Sequence, residues 1–133
     1  LKSELTIPQK VQTIILSRAK GKTGMPNKEN LKNLADINAS LCLYLSARHI
    51  DEVQEILLES YPSETQVAIC YRIGWNDEWI KIVPLKEIAE ISKRKNLIRT
   101  TLYIVSPAFN NSSNRSKLYS SQHSHLFRKA TNQ

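Results

Sequence analysis

Residues 66–84 read QVAICYRIGWNDEWIKIVP. Val67-Ala68-Ile69-Cys70-Tyr71 is an unbroken apolar run, the pattern of a strand covered on both faces, and predicts a strand over Gln66 to Ile73. A second run, Trp79 to Val83, predicts another. Only Gly74 to Glu78 separates them, and so short a connection joins antiparallel neighbours, because a parallel return needs a crossover of a dozen or more residues. The sheet therefore contains at least one antiparallel pair. Pro84 closes the second strand and precedes a helix whose Leu85, Ile88 and Ala89 face the sheet.

Working outward, Thr100 to Val105 predicts a strand ending before Pro107. Upstream, Ile50, Val53, Ile56 and Leu57 mark an amphipathic helix with Asp51 and Glu52 in its first turns, where the helix dipole favours acids; it should stop near Pro62. Leu41-Cys42-Leu43-Tyr44-Leu45 reads as a strand over Ser40 to Ser46, covered on both sides. Leu31, Leu34 and Ala35 give a helix after Pro26, with Asn27 as its cap. Thr13-Ile14-Ile15-Leu16 is a β-branched run that reads as a buried strand. The order βαβαββαβ predicts an α/β chain of α+β type: a mixed five-stranded sheet with about three helices and a C-terminal tail. The packed part is expected over residues 1–107, with residues 108–133 as a basic tail of the same domain. No internal repeat is visible.

Composition narrows the function classes. The chain has 133 residues, 41% of them hydrophobic and 23% charged, as expected of one packed domain. No run approaches 18 apolar residues and no signal-peptide pattern opens the chain, so a cytoplasmic setting without membrane spans is expected. Cys42 and Cys70 sit inside apolar runs, where reduced cysteine acts as a small hydrophobe. Gly21, Gly24 and Gly74 are the only glycines, and they form no phosphate-binding loop. The net charge of +7 is uneven: all 12 acids lie in residues 1–90, and residues 91–133 carry cations alone. An anionic partner near that end is implied, whether nucleic acid, an acidic surface or a polycarboxylate. Leu1 is not an initiator, so the chain reads as a piece of a longer protein.

Several strings occur in a telling order: Glu4-Leu5-Thr6-Ile7-Pro8, then Thr13 to Ala19 followed by Gly21 and Thr23, then the Trp75 to Glu78 hairpin. Arg115-Ser116-Lys117-Leu118-Tyr119, Ser124-His125 and Phe127-Arg128 follow in the tail. In order and spacing the chain resembles the precorrin-4 and cobalt-precorrin-4 carbon-11 methyltransferases of the tetrapyrrole methylase superfamily, across nearly its whole length. The resemblance implies the second domain of such an enzyme, whose missing first domain carries the glycine-rich cofactor loop. It implies S-adenosylmethionine (SAM) as methyl donor, bound mainly by that first domain, and a reduced, anionic tetrapyrrole of cobalamin (vitamin B12) and porphyrin-type biosynthesis as substrate. The fragment alone should not turn over, and the intact protein is expected to be a homodimer.

The same resemblance assigns site residues. Leu45 and Ile73, at strand ends, would touch the adenine or ribose of SAM through backbone and apolar contact; strand-end residues of this kind also serve as plain core. Arg115, Lys117 and Arg128 would hold substrate carboxylates, which suit bidentate arginine, with plain solvated charges as the alternative, and His125 would hydrogen-bond substrate or cap the tail. Arg18, Lys20 and Lys22 form a second basic group. Catalytic side chains and a metal are not expected, since transfer from a sulfonium needs mainly positioning, and His123 with His125 makes a weak ligand pair. His49 reads as structural, Trp75 as packing, and Asp77-Glu78 as surface acids. The resemblance implies proline at Gln66, alanine or glycine at Ile73, Gly-Thr at Val83-Pro84 and glycine at Ser106, and the chain departs from the family at each.

Two other classes compete. A basic nucleic-acid module would use the acid-free third, but that stretch has few aromatic platforms among its cations. A dimerisation domain that has lost activity is the other.

Overall fold

A computed structural model of the chain describes residues 1–19 and 21–110. Five strands, β1 (Ile14–Arg18), β2 (Ser40–Tyr44), β3 (Gln66–Tyr71), β4 (Trp79–Pro84) and β5 (Thr101–Val105), form one mixed sheet in the order β1-β2-β5-β3-β4. β1 and β2 are parallel, and the other neighbours are antiparallel. β5 therefore inserts between β2 and β3, which run in the same direction on either side of it. Val67 pairs with both Val83 and Val105.

Three helices cover one face: α1 (Leu31–Ala35), α2 (Ile50–Leu58) and α3 (Ile88–Arg94). α2 is too short to persist alone in water. Ile50, Val53 and Leu57 bury one stripe of it against the sheet, each worth about 2 kcal/mol. Asp51 also reaches Lys93 of α3 at 2.7 Å. The main core joins these residues to Leu41, Leu43, Val67, Ile69, Tyr103 and Val105, which alternate along the central strands.

The other face carries a thinner cluster of Cys42, Ala68, Cys70 and Ile104. Ile7, Val11 and Ala108 form a third small cluster. A hydrogen-bond chain links the two ends of the described chain: the Ala108 amide donates to Ser106 Oγ (3.0 Å), Ser106 and Ser40 hydroxyls meet at 2.6 Å, and Ser40 Oγ donates to the Leu5 carbonyl. Ser106 is thus a buried junction.

Three local expectations need correction. β1 is not a buried strand: Ile14 is 46% and Leu16 67% exposed, because β1 is an edge strand and the face turned away from the helices is uncovered there. β2 is covered on both sides only from Ser40 to Leu43; Tyr44 is 45% and Leu45 79% exposed, since the strand outruns its neighbours' cover. Asn27 does not cap α1. The chain after Pro26 makes a 3-10 turn, Asn27–Glu29, and Asn30 is extended (φ −65°, ψ 155°), so Asn30 Oδ1 takes the Asn33 amide at 2.8 Å. Pro84 is tolerated inside β4 because that strand lies at the sheet's other edge.

Candidate functional site

The register sends the carboxyl ends of β1, β2 and β3 and the amino end of β5 to one edge of the sheet. Ligands of open α/β sheets gather outside the carboxyl ends of strands. The chain leaves that edge by sharp turns: Leu45 after β2, Arg72 after β3 and Thr100 before β5 all have left-handed backbone (φ 54°, 48° and 54°) without being glycine. A β-branched residue in that region is unusual, and such strain persists only where surrounding structure holds it. Here the Arg72 amide donates to the Thr100 carbonyl at 3.0 Å. Ser46, fully buried, ties the neighbouring ends: its Oγ accepts from the Ala19 amide (3.0 Å) and donates to the Tyr44 carbonyl (2.8 Å).

Three concavities lie side by side along this edge. The central cleft, about 260 Å³, is lined by Tyr44, Leu45, Cys70, Ile73 and residues 100–102. Leu45 and Ile73, predicted from different strands, thus meet in one cleft. With 79% and 51% of their surface exposed, neither is a core residue. Tyr44 and Leu45 also line a second concavity with Arg18, Met25 and Pro26. Thr100 joins the central cleft to a third, lined by Arg48, Arg72 and Arg99.

Electrostatically the central cleft is quiet. Burial pushes the Cys70 thiol up from its ordinary range, so it stays protonated and a poor nucleophile. Thr101 Oγ1 donates to the Arg99 carbonyl at 3.0 Å, whereas the Thr100 hydroxyl makes no hydrogen bond among the described residues. Among the described residues no acid lines the cleft. Apolar walls and the free hydroxyls of Thr100 and Tyr44 can seat and orient a ligand.

The other predicted residues divide. Arg18 is committed to its own loop, donating to Thr23 Oγ1 at 3.0 Å and to the Ala19 carbonyl at 3.3 Å, and Lys22 is exposed. Lys20, Arg115, Lys117, His123, His125 and Arg128 lie outside the described residues. His49 stands at the start of α2 without a capping hydrogen bond. Trp75 packs against the Arg72 guanidinium (4.3 Å) and is otherwise exposed. Asp77 lies 2.8 Å from Arg72 Nε, an ion pair rather than a directed hydrogen bond, since that buried Nε has no aligned acceptor. Glu78 accepts from the Gly74 amide at 2.7 Å. Sequence reasoning missed Ser46, Arg48, Arg72, Arg99 and Thr100. Two of these, Arg72 and Thr100, stand directly at a strand end, a signal readable only once strand directions are known.

A mixed sheet covered by helices on one face, with a cleft at its strand ends, defines a unit of α/β type whose candidate site is that cleft. The chain belongs to the tetrapyrrole methylase family: the model for tetrapyrrole (corrin/porphyrin) methylases matches residues 1–89. It is 40% identical over 132 residues to a cobalt-precorrin-4 C(11)-methyltransferase of Methanocaldococcus jannaschii, covering 98% of this chain and 51% of the relative. It is 35% identical over 130 residues to a precorrin-4 C(11)-methyltransferase of Pseudomonas aeruginosa, covering 94% and 50%. The chain spans about half the length of the curated relatives it matches. Its fold superimposes on a cobalt precorrin-4 methyltransferase with TM-score 0.78 at 28% identity, over 83% of this chain and 46% of that one. It also superimposes on a uroporphyrin-III C-methyltransferase from Thermus thermophilus, solved with S-adenyl homocysteine, with TM-score 0.64 at 15% identity, over 81% and 48%. The predicted mixed five-stranded sheet with three helices is the fold observed. No helix among the described residues is long and apolar enough to cross a membrane.

Proposed function

We propose that this chain is the carboxy-terminal half of a SAM-dependent methyltransferase that methylates precorrin-4 or cobalt-precorrin-4 in cobalamin biosynthesis. The observation that carries this reading is the meeting of Leu45 and Ile73 in one strand-end cleft with Thr100. The lining fits an adenosine portion: exposed apolar side chains for the base and the unpaired Thr100 hydroxyl for the ribose. When bound, SAM supplies an electrophilic methyl group on a sulfonium. The chain's own part is to orient: Leu45 and Ile73 exclude water from one side of the ligand, and the braced turns keep them in place. Orientation alone can contribute ~7 kcal/mol or more to such a transfer, consistent with a cleft lacking acids.

The relatives extend over about twice this length, and the reading assigns the remaining cofactor contacts to a preceding domain. Arg115, Lys117 and Arg128 are assigned to substrate carboxylates and His125 to a hydrogen bond with the substrate. The intact protein is read as a cytoplasmic homodimer, a state that sedimentation velocity measures.

Calorimetric titration with S-adenosylhomocysteine tests the cofactor assignment. The chain alone should bind weakly or not at all, and addition of the complementary half of the M. jannaschii relative should produce saturable binding. Tight binding by residues 1–133 alone, or no gain on complementation, would overturn it.

A further inference from the structure

The concavity beyond Thr100 has a volume of about 420 Å³, and three of its lining residues are Arg48, Arg72 and Arg99. Among the described residues no carboxylate lines it. Arg72 is already occupied, paired with Asp77 and stacked on Trp75. Arg48 and Arg99 have no carboxylate partner among the described residues. One unpaired surface arginine is ordinary. Two facing one concavity, with a third cation in its wall, concentrate positive potential where an anion can enter.

The backbone holds these arginines in place. Arg48 lies in the 3-10 turn Ala47–His49 that starts α2, closed by the His49 amide on the Ser46 carbonyl at 3.0 Å. The Arg99 carbonyl receives Thr101 Oγ1. Arg72, Asn96 and Thr100, all lining residues, have left-handed backbone. The site is therefore assembled from three separate strand-end turns, after β2, after β3 and before β5.

We propose that this concavity is a carboxylate-binding site, in which Arg48 and Arg99 receive a side-chain carboxylate of a tetrapyrrole polycarboxylate while Arg72, stacked on Trp75, forms its wall. Planar guanidinium forks match carboxylates in bidentate geometry and are weakly hydrated, so they release water readily on pairing. The choice of ligand rests on the methyltransferase reading. Methyl donor and acceptor must lie side by side, and a single residue, Thr100, separates this concavity from the cleft assigned to the donor. The peripheral carboxylates of a macrocycle held beside that cleft would reach it.

The test is fluorescence titration of the full 133-residue chain with uroporphyrin, a tetrapyrrole polycarboxylate. Wild-type chain should bind saturably. Arg48→Gln/Arg99→Gln should weaken binding about tenfold or more, the loss expected for charge-assisted hydrogen bonds. Lys28→Gln/Lys81→Gln removes the same charge from exposed positions elsewhere and should change binding less than twofold. Absence of saturable binding, or equal weakening in both double variants, would overturn the proposal. Both variants replace exposed side chains, and thermal melts confirm that each is folded. S-Adenosylhomocysteine titration of the same variants in the complemented protein separates the two claims. If even the wild type fails to bind it, the cofactor reading falls while the contrast between the double variants still judges the arginines.

Discussion

The Arg72 amide and the Thr100 carbonyl meet at 3.0 Å, and both residues have left-handed backbone, at φ 48° and 54°. This bond closes the gap between the end of β3 and the start of β5. It places the cleft of Leu45 and Ile73 on one side of Thr100 and the arginine-lined concavity on the other.

Thr100 is exposed, so its side chain adds little packing while its backbone bears a cost of about 1 kcal/mol or more. Thr100→Gly should stabilise the chain by about 1 kcal/mol, raising the thermal midpoint by a few degrees. The same substitution removes the free hydroxyl and should weaken S-adenosylhomocysteine binding in the complemented protein. Calorimetry reads both effects.

Leu45 is the sharper probe of the cleft, because it is 79% exposed and the fold does not depend on it. Leu45→Asp should leave the thermal midpoint unchanged within a degree or two and weaken S-adenosylhomocysteine binding by about tenfold or more, since a carboxylate replaces apolar contact and must be desolvated. Ile73→Ala trims the apolar lining of the same cleft and should weaken binding by about threefold or more.

The Ser106 hydroxyl connects the Ala108 amide to Ser40. Ser106→Ala leaves that buried amide and Ser40 Oγ short of partners and should cost about 1–3 kcal/mol. Ser106→Gly should cost at least as much. Urea denaturation with an unchanged slope would measure the difference.

Tyr61 gives the chain an alkaline limit. It is buried, its hydroxyl donates to the Ala39 carbonyl at 2.8 Å, and burial pushes its pKa from the ordinary 10.0 up to about 12. Burial also raises Tyr103. Because the folded value exceeds the unfolded one, the stabilisation is fully present below pH 10 and is lost as pH rises towards 12, a fall of up to about 3 kcal/mol from Tyr61. Tyr61→Phe should cost about 1 kcal/mol at neutral pH and flatten that fall. Denaturation curves at several pH values between 9 and 12 check the sign.

The hairpin and the helix stripes were legible because they are local. Residues 74–78 are too few for anything but an antiparallel return, and Ile50, Val53 and Leu57 share a face at helical spacing wherever the helix docks. Errors arose where burial depends on neighbours distant in sequence. Ile14 and Leu16 have strand character, but only their position at the sheet edge leaves them exposed. Asn27 and Asn30 are equally good caps by residue type, and the 3-10 turn after Pro26 chose between them.

The strings of residues along the chain, by themselves, identified five strands, three helices, the likeness to tetrapyrrole methylases and the candidates Leu45 and Ile73. Local propensity and spacing carry that information. Only the tertiary structure decided that β5 enters between β2 and β3. No local pattern encodes that choice, since any of these apolar strands could satisfy its backbone hydrogen bonds against another. The insertion brings Thr100 between two strand ends far from it in sequence, joins Leu45 to Ile73 in one cleft, and turns Arg48, Arg72 and Arg99 from separate surface charges into the walls of one concavity.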